Sequence, residues 1–360
     1  MKSFSDYIID TNAILYNIKQ FKKFNPKTKI CAVVKADGYG LGLANFIKQI
    51  ERDVDFFAVA CFLEAIKLRK LTDNPILILN FVPCENLQKC VENNISVSVF
   101  NLQHLMQIKK YVKKGKLKIH LAINTGMNRI GFSCVDKFYK SINLAQKQAN
   151  IKIEGVFTHF YNATNQINTY EQFCIFNHFV KIAKKNNLKG IMVHTSASDA
   201  GFLYKQFNFD MVRLGMSIYG YSNANVDLRP VLSITSKVIN ICKVKKGQSV
   251  GYGKFFVAKK DMFIATIPLG YADGIMRSYA KKGKVIINNK FCKIVGNICM
   301  DMFMCDVTNI KVKIGDKVIF LGKDNKNNII TAEDIAKDCE TISYEILTNI
   351  KRNRFNVIKK

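Results

Sequence analysis

Cys31-Ala32-Val33-Val34-Lys35-Ala36-Asp37-Gly38-Tyr39-Gly40-Leu41-Gly42 carries a lysine out of an apolar run into a loop with glycine at three alternate positions. Lys29 to Val34 reads as a short, nearly continuous apolar strand, the form a strand takes when both of its faces are covered. The glycines allow backbone angles and close approaches that other residues resist. Lys35 therefore belongs at the rim of a buried sheet, where lost hydration disfavours the ammonium and leaves an amine suited to forming a Schiff base. Taken singly it reads first as a solvated lysine in a strand-end turn, so its meaning depends on the chain around it.

From residue 29 to about 228, short apolar strands alternate with amphipathic helices, the pattern of a parallel sheet with helical crossovers. Strands are expected at Lys29 to Val34, Phe56 to Ala60, Ile76 to Leu79, Ile95 to Val99, Leu117 to Ile123, Ile151 to Phe157, Gly190 to Val193 and Phe209 to Arg213. Apolar residues recur at spacings of three and four over Leu63 to Leu71, Leu102 to Lys114, Val135 to Ala149 and Tyr170 to Asn186, which predicts helices there. Eight strands in about 200 residues favour a closed (β/α)8 barrel, of the TIM type, over residues 10–229. An open doubly wound sheet is the alternative, but Gly38, Gly40 and Gly42 are spaced by two, so the G-x-G-x-x-G spacing is absent, as is the Walker pattern.

Around Pro230 helical periodicity fades and strand-like runs with hairpin signals take over. Val231 to Val244, Met262 to Leu269, Val285 to Val295, Ile298 to Val307 and Val318 to Leu321 read as strands, with turns at Lys246-Gly247, Asn288-Asn289 and Gly315-Asp316. The fold class is thus α/β, with an N-terminal barrel followed by a mostly β domain over 230–360. A helix should begin after Thr331, capped with Asp334 three residues on, and another should cover Ser343 to Ile350. At the start, Asp6 to Ile9 reads as a strand and Asn12 to Phe24 as a helix.

The 360 residues include 48% hydrophobic ones, enough to fill two substantial cores. No run of eighteen uncharged apolar residues occurs and the start lacks the apolar core of a signal peptide, so a cytoplasmic protein with no membrane association is expected. Eleven cysteines, an odd number with no Cys-x-x-Cys pair, read as reduced core thiols, and no metal site is expected. The net charge of +28 raises the question of nucleic acid. The lysines are dispersed, however, and no groove-reading or base-stacking module surrounds the basic C-terminal residues, so nucleic-acid binding is only a remote alternative.

In a barrel, function lies just past the strand ends on one face. Lys35 follows the first strand, Asn124-Thr125-Gly126-Met127-Asn128-Arg129 the fifth, Thr158-His159-Phe160 the sixth and His194-Thr195-Ser196-Ala197-Ser198 the seventh, and the eighth ends in Arg213-Leu214-Gly215-Met216. An amine, two arginines, a histidine and hydroxyls converge on one mouth. Ser196, Gly215 and Met216 fit the phosphate-binding arrangement common after strands seven and eight. Each has a plainer reading: His159 as a structural histidine, Arg213 as an ion-pair partner of Asp210, Ser196 as a helix cap.

These segments resemble the bacterial alanine racemases over nearly the whole chain. Lys35 to Gly42 is similar to the family's pyridoxal-phosphate lysine motif, and Asn124 to Gly131 to the loop whose Arg129 faces the substrate carboxylate. In the second domain, Ser249-Val250-Gly251-Tyr252-Gly253, Gly270-Tyr271-Ala272-Asp273-Gly274 and Gly296-Asn297-Ile298-Cys299-Met300-Asp301 resemble three more family motifs. The resemblance implies pyridoxal 5'-phosphate held by Lys35, Tyr39, Ser196, Arg213, Gly215 and Met216. It implies Lys35 and Tyr252 as acid/base groups on the two faces of the amino acid, His159 and Arg213 as supports, and Tyr271 and Met300 with Arg129 around the substrate. It further implies joining of the first strand to the β domain, a homodimer with shared sites, and D-alanine supply for peptidoglycan.

The chemistry explains these residue types. Removing an α-proton needs an electron sink, which pyridoxal phosphate supplies, and racemisation needs a proton carrier on each face. A free phenol titrates near about 10, too high for a base at neutral pH unless cations lie near. Three departures from the family pattern stand out: Ala122 where many members have a carbamylated lysine, the acidic Lys35-Ala36-Asp37-Gly38-Tyr39 loop, and Lys351-Arg352-Asn353-Arg354 where many place a phosphate-contacting tyrosine. Arg129 then has to find another support, with Asn124 or a bound anion as candidates. A broader-specificity racemase and a decarboxylase of the same fold are the alternative enzymes. The decarboxylase would need a cysteine proton donor, where Gly251-Tyr252-Gly253 offers a tyrosine.

Overall fold

Strand β1 (Asp6–Ile9) and the helix Thr11–Phe24 open the chain, and eight strands then follow where the apolar runs lie. They are β2 (Lys29–Val33), β3 (Phe56–Val59), β4 (Ile76–Ile78), β5 (Ile95–Val99), β6 (Leu117–Ala122), β7 (Ile151–Phe157), β8 (Met192–His194) and β9 (Met211–Leu214). In this computed structural model, which describes residues 3–188 and 190–360, they pair in parallel in the order β8-β7-β6-β5-β4-β3-β2-β9. The seam between β8 and β9 is drawn together by Asp210 N–H to Val193 O at 3.1 Å and Arg213 N–H to Ser196 O at 3.0 Å. The Asp210 carboxylate accepts the Val193 N–H at 2.8 Å. A nearly closed (β/α)8 barrel results.

Strands β3, β4 and β5 are buried at every residue; β3 and β4 therefore read as unbroken apolar runs, while β5 buries Ser96 and Ser98 between its apolar residues. Helices cover the barrel at Phe62–Arg69, Leu102–Tyr111, Val135–Gln146 and Gln166–Lys185, among shorter ones. The last begins four residues before Tyr170 because Asn165 caps it, accepting the Asn168 N–H at 3.0 Å.

The chain divides into two compact units. One comprises Ala13–Gly38 and Phe46–Arg229, the other the chain up to Asn12 with Tyr39–Asn45 and Pro230–Lys360. The second unit is mostly β: β10 (Leu232–Lys237), β11 (Asn240–Val244), β12 (Ser249–Val250), β13 (Phe256–Val257), β14 (Met262–Ile267), β15 (Lys284–Ile287), β16 (Lys290–Val295), β17 (Phe303–Asp306), β18 (Lys317–Lys323), β19 (Ile329–Ile330) and β20 (Asn356–Lys359). Its main sheet runs β11-β14-β17-β16-β15-β18-β10-β1-β20, with β19 beside β18. β1 thus joins this unit, antiparallel to β10 and parallel to β20.

Two expected strands are corrected. Val231 to Val244 is not one strand, because Val238 N–H bonds Asp316 O and Ile239 N–H bonds Thr266 O, both at 3.0 Å. The chain there leaves its pairing with β18 and takes up one with β14. Ile298 to Val307 is strand only over β17, since Cys299 N–H turns back onto Met302 O. The Asn288-Asn289 turn is a hairpin with both residues left-handed, at φ 48° and 59°, as the primed two-residue turns require. Thr331 and Asp334 form the expected capping box. Among the described residues no helix is long and apolar enough to cross a membrane, and no group of three His, Cys, Asp or Glu side chains is placed to hold a metal ion.

Candidate active site

Just past β2, Lys35 is followed by Ala36 (φ 54°, ψ 48°), Asp37 (φ 52°, ψ 44°), Gly38 (φ 70°, ψ 44°) and Tyr39 (φ 53°), a run of left-handed residues. Each one bearing a Cβ costs roughly 1–2 kcal/mol in this region. Gly38 therefore relieves only part of the strain, and the turn must be held by its surroundings. The Gly38 N–H bonds Val34 O at 2.9 Å. Glu64, half-buried on the helix Phe62–Arg69, accepts the Ala36 N–H on one carboxylate oxygen at 2.6 Å and the Ala60 N–H on the other at 2.8 Å. The Lys35 amine is reachable by solvent, yet enough protein surrounds it that desolvation is the first cause lowering its pKa, followed by the charge of Arg129. Glu64 opposes both.

Arg213 on β9 is 3% exposed, and its donors go to neutral acceptors. NH1 meets His194 Nδ1 at 2.7 Å, while NH2 donates to Thr158 O and Thr195 O at 2.7 Å each and reaches His159 Nδ1 at 3.4 Å. Asp210 is engaged by the Val193 backbone, so Arg213 is not its ion-pair partner. Burial lowers the guanidinium to about 10, with Cys31 opposing and Arg129 assisting. Among the described residues this buried cation has no carboxylate partner.

Behind Arg213 a chain of polar groups crosses the barrel interior. His194 Nε2 lies 2.9 Å from His120 Nδ1, and His120 Nε2 lies 3.1 Å from Glu154 Oε2. Ser96 and Lys118 complete the carboxylate's partners. Gly155 leaves room for the ring, since a Cβ there would lie 2.3 Å from His120 Nδ1. Desolvation, Arg213 and His120 hold His194 well below its ordinary value. Desolvation, then Arg213, Arg129 and Lys35, lower His159 to about 3, so its imidazole is neutral.

The neighbouring loops are tied to one another. Gln172 donates to Thr125 Oγ1 at 2.9 Å and to His159 O at 3.2 Å, and Thr125 and Thr158 share a hydrogen bond of 2.8 Å. Asn124 folds the Arg129 loop by accepting the N–H groups of Gly126 and Asn128. Its support is to the backbone and not to the guanidinium. Ala122 packs with Phe100, Phe157 and Ile130, so an apolar cluster fills the space around it.

At the β8–β9 seam, Ser196 directs Oγ to Thr195. Ser198 is the hydroxyl that accepts the N–H groups of Gly215 and Ser217, at 3.0 and 3.2 Å. Ser217 Oγ lies 3.0 Å from the same oxygen, so the two hydroxyls share a hydrogen bond at the seam. Ser196 and Ser198 thus both lie at this seam, and the hydroxyl that Gly215 meets is that of Ser198.

In the second unit, Tyr39 is buried and its ring meets Tyr344 at 6.0 Å. Arg352 NH1 donates to Gly40 O at 2.8 Å. Tyr252 begins a short turn after Gly251, whose φ of 75° is the left-handed side that glycine adopts readily. Tyr252 and Met300 line one open hollow with Cys242, Met302 and Met304. Tyr271 and Ala272 donate their N–H groups to Cys299 O and Met300 O, and Arg354 bridges Asp273 and Asp301 at 2.6 and 2.7 Å. The motifs around Tyr271 and Met300 are therefore one docked structure.

Two family models match in succession, the alanine racemase N-terminal domain over residues 9–223 and the alanine racemase C-terminal domain over residues 231–358. The chain belongs to the alanine racemase family. It is 37% identical to the alanine racemase of Clostridium tetani over 96% of this chain and 92% of that protein. The crystal structure of alanine racemase from Bacillus anthracis with bound L-Ala-P superposes at a TM-score of 0.93 with 29% identity, covering 100% of this chain and 96% of that one. Alanine racemase from Clostridium difficile superposes at 0.91 with 33% identity, covering 100% and 97%.

Within this alanine racemase barrel the polar chain behind Arg213 has a measurable signature. Burial pushes the Glu154 carboxyl up, but the His120 hydrogen bond and charge, the Ser96 hydroxyl and Lys118 outweigh it and hold the group at about 2, against an ordinary 4.5. A carboxyl depressed on folding stabilises the fold above its unfolded pKa, and that contribution is lost as pH falls through the folded one. Glu154→Gln is expected to cost on the order of 2 kcal/mol at pH 7. The cost should shrink between pH 4.5 and 2, read by urea unfolding at pH 7 and pH 3. An equal loss at both would mean that shape and not charge holds His120.

Proposed function

We propose that this chain interconverts L-alanine and D-alanine with pyridoxal 5'-phosphate, in the cytoplasm, supplying D-alanine for peptidoglycan. The observation that carries the reading is a barrel mouth with an amine of lowered basicity, Lys35, and a buried guanidinium, Arg213, whose hydrogen-bond partners among the described residues are neutral. The donor set fits the cofactor: Lys35 would hold its carbonyl carbon, Arg213 its ring nitrogen, and Ser196 with Gly215, Met216 and Tyr39 its phosphate, with the Ser198 hydroxyl beside Gly215 as a further donor. When bound, the cofactor supplies an electron sink for the α-carbon.

In this reading Lys35 holds and moves the α-proton on the face of the D-isomer, and Tyr252 does so on the face of the L-isomer. Arg129 and the Met300 backbone bind the substrate carboxylate, with Tyr271 at the entrance. His159 supports Tyr252 as a neutral acceptor, and its low pKa keeps it from competing for the proton. Arg213 stays protonated even after burial and releases no proton to the ring nitrogen, which favours return of the proton to the α-carbon. The partner is a second copy of the chain, whose second unit supplies Tyr252 to each barrel.

Purified protein should absorb near the visible band of a lysine-bound pyridoxal, lose that band on borohydride reduction, and convert either isomer of alanine to an equal mixture. Conversion of several amino acids at similar kcat/KM would favour a broad racemase, and release of carbon dioxide would favour the decarboxylase. No conversion by protein that carries the cofactor would defeat the proposal.

A further inference from the structure

Glu64 lies outside every motif quoted for the site, yet it bonds the residue that follows Lys35 and the loop beside it. Its oxygens accept the N–H of Ala36, the residue after Lys35, and the N–H of Ala60, just past the end of β3. It thereby ties the loop after β2 to the loop after β3 across the sheet. The loop it holds is the left-handed run from Ala36 to Tyr39, which local energetics disfavours. A charge-assisted pair of bonds to backbone N–H groups is the strong kind of clamp that such a turn requires.

We propose that Glu64 is a positioning residue for Lys35, fixing the left-handed turn that aims the amine and setting one negative charge beside it. Two charged groups act on the amine, Arg129 from the loop after β6 and Glu64 itself, with Asp37 on the same turn and the neutral His159 in the loop after β7. Arg129 disfavours the ammonium and Glu64 favours it, so Glu64 also tunes how readily the amine gives up its proton. The inference rests on the reading of Lys35 as the cofactor lysine, but its test does not.

Wild type and Glu64→Gln are stripped of cofactor with hydroxylamine and acetylated across pH 6 to 10, with Lys35 followed by peptide mass spectrometry. Loss of the negative charge should lower the Lys35 midpoint and speed its labelling at pH 7.5 about threefold. Exchange of the Ala36 and Ala60 amide protons should quicken at least about tenfold. The reconstituted enzyme should lose about 10²-fold in kcat while substrate KM changes little, since the amine is misaimed and the carboxylate site is untouched. Unchanged labelling and unchanged exchange would overturn the proposal. If Glu64→Gln does not fold, wild type decides through those two amide protons: protection supports the clamp, and free exchange overturns it. A Lys35 that responds to Glu64 but never takes a pyridoxyl label would refute the cofactor assignment and leave this one standing.

Discussion

Lys35→Ala is expected to lower alanine racemisation by at least about 10⁴-fold, the product of losing a covalent anchor and losing one proton carrier. The size follows from where the side chain sits. Lys35 leaves β2 at the mouth of the barrel, and desolvation and the Arg129 charge lower its basicity against the opposing charge of Glu64, which raises the share of free amine on which both tasks draw. Borohydride reduction of wild type with peptide mapping should put the pyridoxyl label on Lys35. The variant should bind cofactor only reversibly, and added methylamine should restore part of the exchange of the D-isomer's α-proton. A pyridoxyl label on another lysine, or activity within tenfold of wild type, would remove Lys35 from the mechanism.

Much of this was legible in the sequence because most residues of the barrel strands are buried, so that apolar side chains dominate each of them. Ile95–Val99 and Ile151–Phe157 coincide with the runs that suggested them. The β domain was read less well, since its strands change partners without any polar interruption, as at Val238 and Ile239. At the site, Lys35, His159 and Arg213 were legible because each immediately follows or ends a strand. Glu64 was missed although it sits at the third position of a helix, where a carboxylate reaching back to backbone N–H groups is an ordinary start signal. What the sequence withholds is that one of those groups belongs to the Lys35 loop. His120 and Glu154 were legible only as polar residues within apolar strands. Nothing in the local pattern says that His120 meets Glu154 on one side and His194 on the other, because those contacts depend on the strand register across three neighbouring strands.

The remaining large effect concerns Tyr252, which is 74% exposed, beside Met300 at 54%. A phenol that carries a proton to and from an α-carbon works poorly in open water, because the reacting charges must be shielded. Around it Phe255, Val257 and Met302 are also exposed, an apolar surface of the kind that marks an interface. A second copy of the chain is the simplest cover, since closed twofold pairs are the commonest soluble assemblies. Each site would then take Lys35 from one chain and Tyr252 from the other. Tyr252→Phe alone should abolish solvent exchange of the L-isomer's α-proton while leaving exchange of the D-isomer measurable. Mixing inactive Lys35→Ala with inactive Tyr252→Phe should restore activity, because a mixed dimer holds one site with both changes and one with neither. With equal amounts and free exchange, half of the dimers are mixed and half of their sites intact, so recovery should approach roughly one quarter of wild type. If differently tagged chains are shown to exchange and activity stays at background, both proton carriers of a site come from one chain and the shared arrangement is wrong.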